Sequence, residues 1–79
     1  MAKKKLAHDE VLLLIGKTLK ELRVKAGYRS YEQFAWDNEL NRVQYWRMEK
    51  GVNITMKSLL KVLDVHNQTL IDFFKLVYS

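Results

Sequence analysis

Apolar residues return at spacings of three and four along the first third of the chain. Leu12, Ile15, Leu19, Leu22 and Ala26 share one face of a helix predicted from about Asp9 to Ala26. Val11, Leu13 and Leu14 fall off that face. Gly27 supplies the left-handed backbone that stops the helix. Gly16 lies inside it at a cost of about 1 kcal/mol relative to alanine, which marks a candidate close approach by another helix.

Beyond Gly27 the apolar runs shorten and each is preceded by a capping residue. Ser30-Tyr31-Glu32-Gln33 reads as a capping box, with the serine hydroxyl on the Gln33 amide and the Gln33 side chain returning to Ser30. A short helix from Tyr31 buries Phe34 and Ala35 and stops at Asn38, and Leu40 plugs the following corner. Asn41-Arg42-Val43-Gln44 repeats the device for a third helix that ends near Lys50 and closes on Gly51. Thr55 caps a fourth, burying Leu59, Val62 or Leu63, and His66, with Asn67 left-handed after it. Thr69 caps a fifth that carries Asp72 in its first turn and Phe73, Phe74 and Val77 beyond. Proline is absent and glycine occurs only at 16, 27 and 51, so an all-α fold of five helices without strands is predicted.

Seventy-nine residues, 48% hydrophobic and 29% charged, make one small globular domain. Residues 1–8, with Lys3-Lys4-Lys5, read as a basic arm before a domain over 9–79. Without cysteine there are no disulfides or thiolate metal sites, which fits a reducing cytoplasm. The apolar run Val11–Ile15 is too short to span a membrane. A formal charge of +5 favours polyanionic partners. Catalysis finds no foothold: His8 and His66 are the only histidines, and no phosphate loop, HExxH or nucleophile elbow is present. Neither a metal nor another cofactor is predicted, and the chain is read as a non-enzyme.

Two short capped helices in tandem have the outline of a helix-turn-helix. With Tyr45 and Met48 facing the core, the third helix turns Arg42, Val43, Gln44, Trp46 and Arg47 outward. Arginine suits guanine O6 and N7, glutamine suits adenine N6 and N7, and valine suits a thymine methyl. The same residues also compose an ordinary solvated face, and the pattern alone leaves both readings open.

From Ile15 to Phe74 the chain resembles the Xre-type, lambda-repressor-like helix-turn-helix family, which includes phage Cro and repressor proteins. The resemblance is carried by Leu19-Lys20-Glu21-Leu22-Arg23 with Gly27, by Phe34-Ala35, and by Asn41 through Met48-Glu49-Lys50-Gly51. Thr69-Leu70-Ile71-Asp72-Phe73-Phe74 resembles the family's closing helix. It implies a five-helix lambda-repressor-like fold with the helix-turn-helix as helices two and three. It also implies an ion pair between Arg23 and Glu49, base reading by Arg42, Val43, Gln44 and Arg47, and phosphate contact at Asn41. Past Gly51, Asn53 and Lys57 would meet the opposite strand. Where family members open helix two with a phosphate-binding glutamine, this chain has Tyr31 after a longer loop, so the contact passes to Ser30, to the Tyr31 hydroxyl or to Arg29.

Some features stay open at this level. Trp46 either lies on sugar edges, sits at an interface or folds back on helix two. Lys3-Lys4-Lys5 is either a DNA-embracing arm or a solubilising tail. Val11, Leu13 and Leu14 with Phe73, Phe74, Val77 and Tyr78 form either a homodimer surface or extra cover for a monomer's core. The leading expectation is a cytoplasmic, nucleoid-associated transcriptional repressor that binds double-stranded DNA. The alternatives are the antitoxin of a toxin–antitoxin pair, and a helical interaction module without DNA binding.

Overall fold

A computed structural model describes residues 6–79. The arm residues Lys3, Lys4 and Lys5 lie outside the described residues. Among those described there are five helices and no strand: α1 (His8–Lys25), α2 (Tyr31–Asp37), α3 (Arg42–Glu49), α4 (Met56–Val65) and α5 (Leu70–Val77). No described helix is long and apolar enough to cross a membrane.

Local chemistry sets where these helices begin. Ser30 Oγ accepts from the backbone of Glu32 and Gln33, Asn41 Oδ1 from Gln44, Thr55 Oγ1 from Ser58, and Thr69 Oγ1 from Asp72. Each side chain satisfies backbone donors that the first helical turn leaves without partners. The return half of the Ser30 box does not form. Gln33 Nε2 donates instead to Asp37 Oδ1 at 2.7 Å, one turn along α2, a charge-assisted bond that draws the side chain away from the Ser30 amide. At α1 the reciprocal contact comes from Glu10, whose Oε1 accepts from the Ala7 amide at 3.0 Å.

Four helices end alike. The residues after their caps, Gly27, Glu39, Gly51 and Asn67, all have positive φ. In each case the next amide reaches back to a carbonyl five residues earlier: Tyr28 to Arg23, Leu40 to Ala35, Val52 to Arg47 and Gln68 to Leu63. Ala26 is the exposed cap of α1 rather than part of its buried face, whereas Asn38 caps α2 as expected and Glu39 takes the left-handed position after it.

The core is one cluster: Ile15 and Leu19 of α1, Phe34 and Ala35 of α2, Tyr45 and Met48 of α3, Leu59, Val62 and Leu63 of α4, and Phe73 and Val77 of α5. Phe34 is its hub, with ring centroids 5.0 Å from Tyr45, 5.2 Å from Tyr28 and 5.2 Å from His66. Val11 and Leu14, off the expected face of α1, pack against this core together with Leu12 and Leu22. The buried stripe of α1 is therefore wider than a single row, because α3 and α5 both lie against that helix.

Gly16 marks a close approach. A Cβ there would lie 2.5 Å from the Glu49 carbonyl oxygen and 2.8 Å from that of Met48. A Cβ on Gly51 would lie 2.9 Å from the Leu12 carbonyl oxygen. Two glycines let the backbone of α1 meet the end of α3 directly.

Candidate nucleic-acid interface

Helix α3 is pinned from within, which leaves its opposite face exposed. Tyr45 and Met48 are each 1% exposed, so the inner stripe is wholly committed to the core. Burial pushes the Tyr45 phenol well above its ordinary pKa and keeps it protonated.

The far end of α3 is held by Arg23. Its Nε donates to Glu49 Oε2 at 2.7 Å and its Nη2 to Glu49 Oε1 at 3.0 Å, a two-pronged pair whose side chains are 5% and 8% exposed. Nη1 donates to the carbonyls of Tyr28 and Arg29, at 2.9 and 2.8 Å. The hydrogen bond to the Glu49 carboxylate raises the Arg23 pKa further, so the guanidinium stays charged. One buried side chain thus ties α1 to the end of α3 and to the loop that leads into α2.

The outward residues divide by their angle on α3. Successive residues turn by about 100°, so Val43 and Arg47 lie near the middle of the outer face, with Arg42 and Gln44 on its two flanks. Val43, Gln44 and Arg47 line an open cleft of about 540 Å³, with Asn41 at one end and Asn53, Ile54 and Thr55 of the following loop as its far wall. Arg42 stands apart from that cleft. It lies beside α2, where its Nη1 is 3.5 Å from Glu32 Oε2, and with Glu32, Trp36 and Leu40 it borders a second cleft of about 330 Å³. Both partners of this ion pair are more than half exposed, and such pairs contribute at most about 1 kcal/mol. Arg42 is ordered by Glu32 but easily released.

Gln44 leans the other way. Its Nε2 donates to Ser58 Oγ in the first turn of α4, and Ser58 Oγ also accepts from Thr55 Oγ1 at 2.9 Å. Trp46 is half exposed, and the Lys50 ammonium stands over its ring, 5.7 Å from the centroid. That spacing of one helical turn suits a cation–π contact.

Of the residues expected at phosphates, Asn41 and Asn53 line the larger of these two clefts. Arg29, Ser30, Asn53 and Lys57 are exposed, and Ser30 Oγ accepts from two backbone amides. Tyr31 is half-buried against the core, which limits its reach. Two residues that reasoning from sequence passed over, Glu32 and Ser58, hold Arg42 and Gln44. The spacing Thr55 to Ser58 does place a hydroxyl in the first turn of α4, but nothing in the sequence says that α3 faces it. Among the described residues, no three His, Asp or Glu side chains gather as metal ligands would.

No family model, no characterised protein and no solved structure matches this chain.

Proposed function

We propose that this chain is a non-enzymatic, sequence-specific regulator that binds double-stranded DNA, most simply a repressor, with α2 and α3 as a lambda-repressor-like helix-turn-helix. The observation that carries this reading is the division of α3. Its inner stripe is completely buried and its end is locked by a buried ion pair, while Arg42, Val43, Gln44 and Arg47 remain exposed. A rigid short helix with donors and a methyl-bearing side chain outward fits a major groove about 12 Å wide. Asn41, Asn53, Lys57, Arg29 and Ser30 would meet phosphates on either side, and work on DNA implies a cytoplasmic site of action.

The test is direct. Replacing Arg42 and Arg47 together by alanine should sharply weaken binding to duplex DNA, measured by fluorescence anisotropy at stated salt. Unchanged affinity would favour an interaction module instead.

A protein partner, either a second copy or a toxin, is a second reading favoured by α5. Ile71 is 71% exposed and Tyr78 is 59% exposed there, with Leu76 nearby. Of the residues that the sequence offered either as a dimer surface or as cover for a monomer's core, Phe73 and Val77 are buried in the core and Phe74, Val11 and Leu14 pack against it. Leu13 and Tyr78 are the members of that set left exposed.

A further inference from the structure

Gln44 is the third residue of α3 and Ser58 the third of α4, and the hydrogen bond between them joins two helices at the edge of the recognition cleft. Ser58 does not float. Thr55, the cap of α4, accepts from the Ser58 amide at 3.1 Å and donates its hydroxyl proton to Ser58 Oγ at 2.9 Å. With the Gln44 amide as second donor, the two acceptor sites of that oxygen are filled. Ser58 is therefore a fixed post, set by the start of a helix whose Leu59 and Val62 are buried beside it.

The consequence falls on Gln44. A carboxamide has two N–H groups and one carbonyl oxygen. One N–H is spent on Ser58, and Oε1 has no partner among the described residues. Oε1 and the second N–H are left for a ligand at the cleft that Gln44 lines, and a carboxamide's acceptor and donor match N6–H and N7 of adenine. A long side chain held this way has also lost its rotamer freedom before any base arrives.

We propose that Ser58 is a positioning residue for base reading, orienting Gln44 so that it selects adenine at one position of the bound site. This rests on the reading of α3 as the groove-reading helix. It assigns the specificity of a first-turn residue of α3 to a hydroxyl on α4 rather than to the groove-reading helix alone.

The experiment is selection of bound duplexes from a randomised pool by the wild-type chain, S58A, S58T and Q44A. Wild type and S58T should enrich adenine at the same position. S58A and Q44A should lose that preference, with discrimination between adenine and other bases falling about tenfold or more. A purely structural weakening would lower affinity for all duplexes alike and leave that ratio unmoved. Retained adenine preference in S58A overturns the inference, as does enrichment of guanine or thymine at the Gln44-dependent position, which would mean the amide is turned the other way. If the wild type enriches sites that respond to Arg42→Ala and Arg47→Ala but not to S58A, this inference falls and the DNA-binding reading stands. If it enriches no duplex, both fall.

Discussion

Arg23 and Glu49 meet through two parallel hydrogen bonds, 2.7 and 3.0 Å long, although 26 residues separate them in sequence. Almost no water reaches either group, so the pair behaves as a unit. Alanine at either position should destabilise the fold by about 3–5 kcal/mol, because the remaining charge is buried without its partner. Replacing both by apolar residues of similar volume should cost much less. Urea unfolding of the two single variants and the double variant checks the inequality, and equal, additive losses would contradict it.

Gly16→Ala sets two effects against each other. Alanine gains about 1 kcal/mol of helix propensity, but its methyl would press on carbonyl oxygens of α3 that are backbone and cannot step aside. Overpacking of that kind typically costs about 1–3 kcal/mol. The expected net result is a less stable protein, seen as a lower thermal midpoint. A stabilised variant would mean that α1 and α3 lie further apart.

Glu39 offers the opposite outcome. Its φ of 55° is a left-handed conformation that costs an ordinary side chain about 1–2 kcal/mol. Glycine removes that cost and adds a smaller unfolded-state entropy penalty. Glu39→Gly should therefore stabilise by about 0.5–1 kcal/mol, a rise of several degrees in Tm for a domain of this size. The same scan distinguishes it from Glu39→Ala, which should gain nothing.

His66 should make stability depend on pH. Its ring stacks on Phe34 with 9° between planes, and Nε2 is buried with no partner among the described residues. Burial lowers its pKa below the ordinary 6.5, so the unfolded chain binds the proton more readily than the folded one. This contribution is whole above 6.5 and is lost as the pH falls through that value toward the folded pKa. His66→Phe, which keeps the stacked ring, should flatten the stability profile in that window. Denaturation midpoints taken across it provide the check.

Phosphate and base contacts should separate by salt. Lys57→Ala should reduce the slope of log affinity against log salt by about 0.9 and leave the preferred sequence as it was. Val43→Ala should do the reverse, keeping the slope and relaxing one position of the site. A Lys57 variant with an unaltered slope would remove that residue from the interface.

The caps at Ser30, Asn41, Thr55 and Thr69 were legible in the sequence because each acts on amides two or three residues away. So were the left-handed stops at Gly27, Gly51 and Asn67, and the inward placement of Tyr45 and Met48, which follows from helical period alone. The partners of long polar side chains were not legible. Gln33 and Gln44 stand in identical positions after their caps, yet one turns to Asp37 on its own helix and the other to Ser58 on α4. Arg42 finds Glu32, and α1 buries Val11 and Leu14 as well as its regular stripe. Helix starts and stops are settled within a few residues by backbone hydrogen bonding, so the amino-acid order contains them. Which acceptor a flexible side chain reaches depends on helices brought together from distant parts of the chain, and that arrangement exists only once the core around Phe34 has closed.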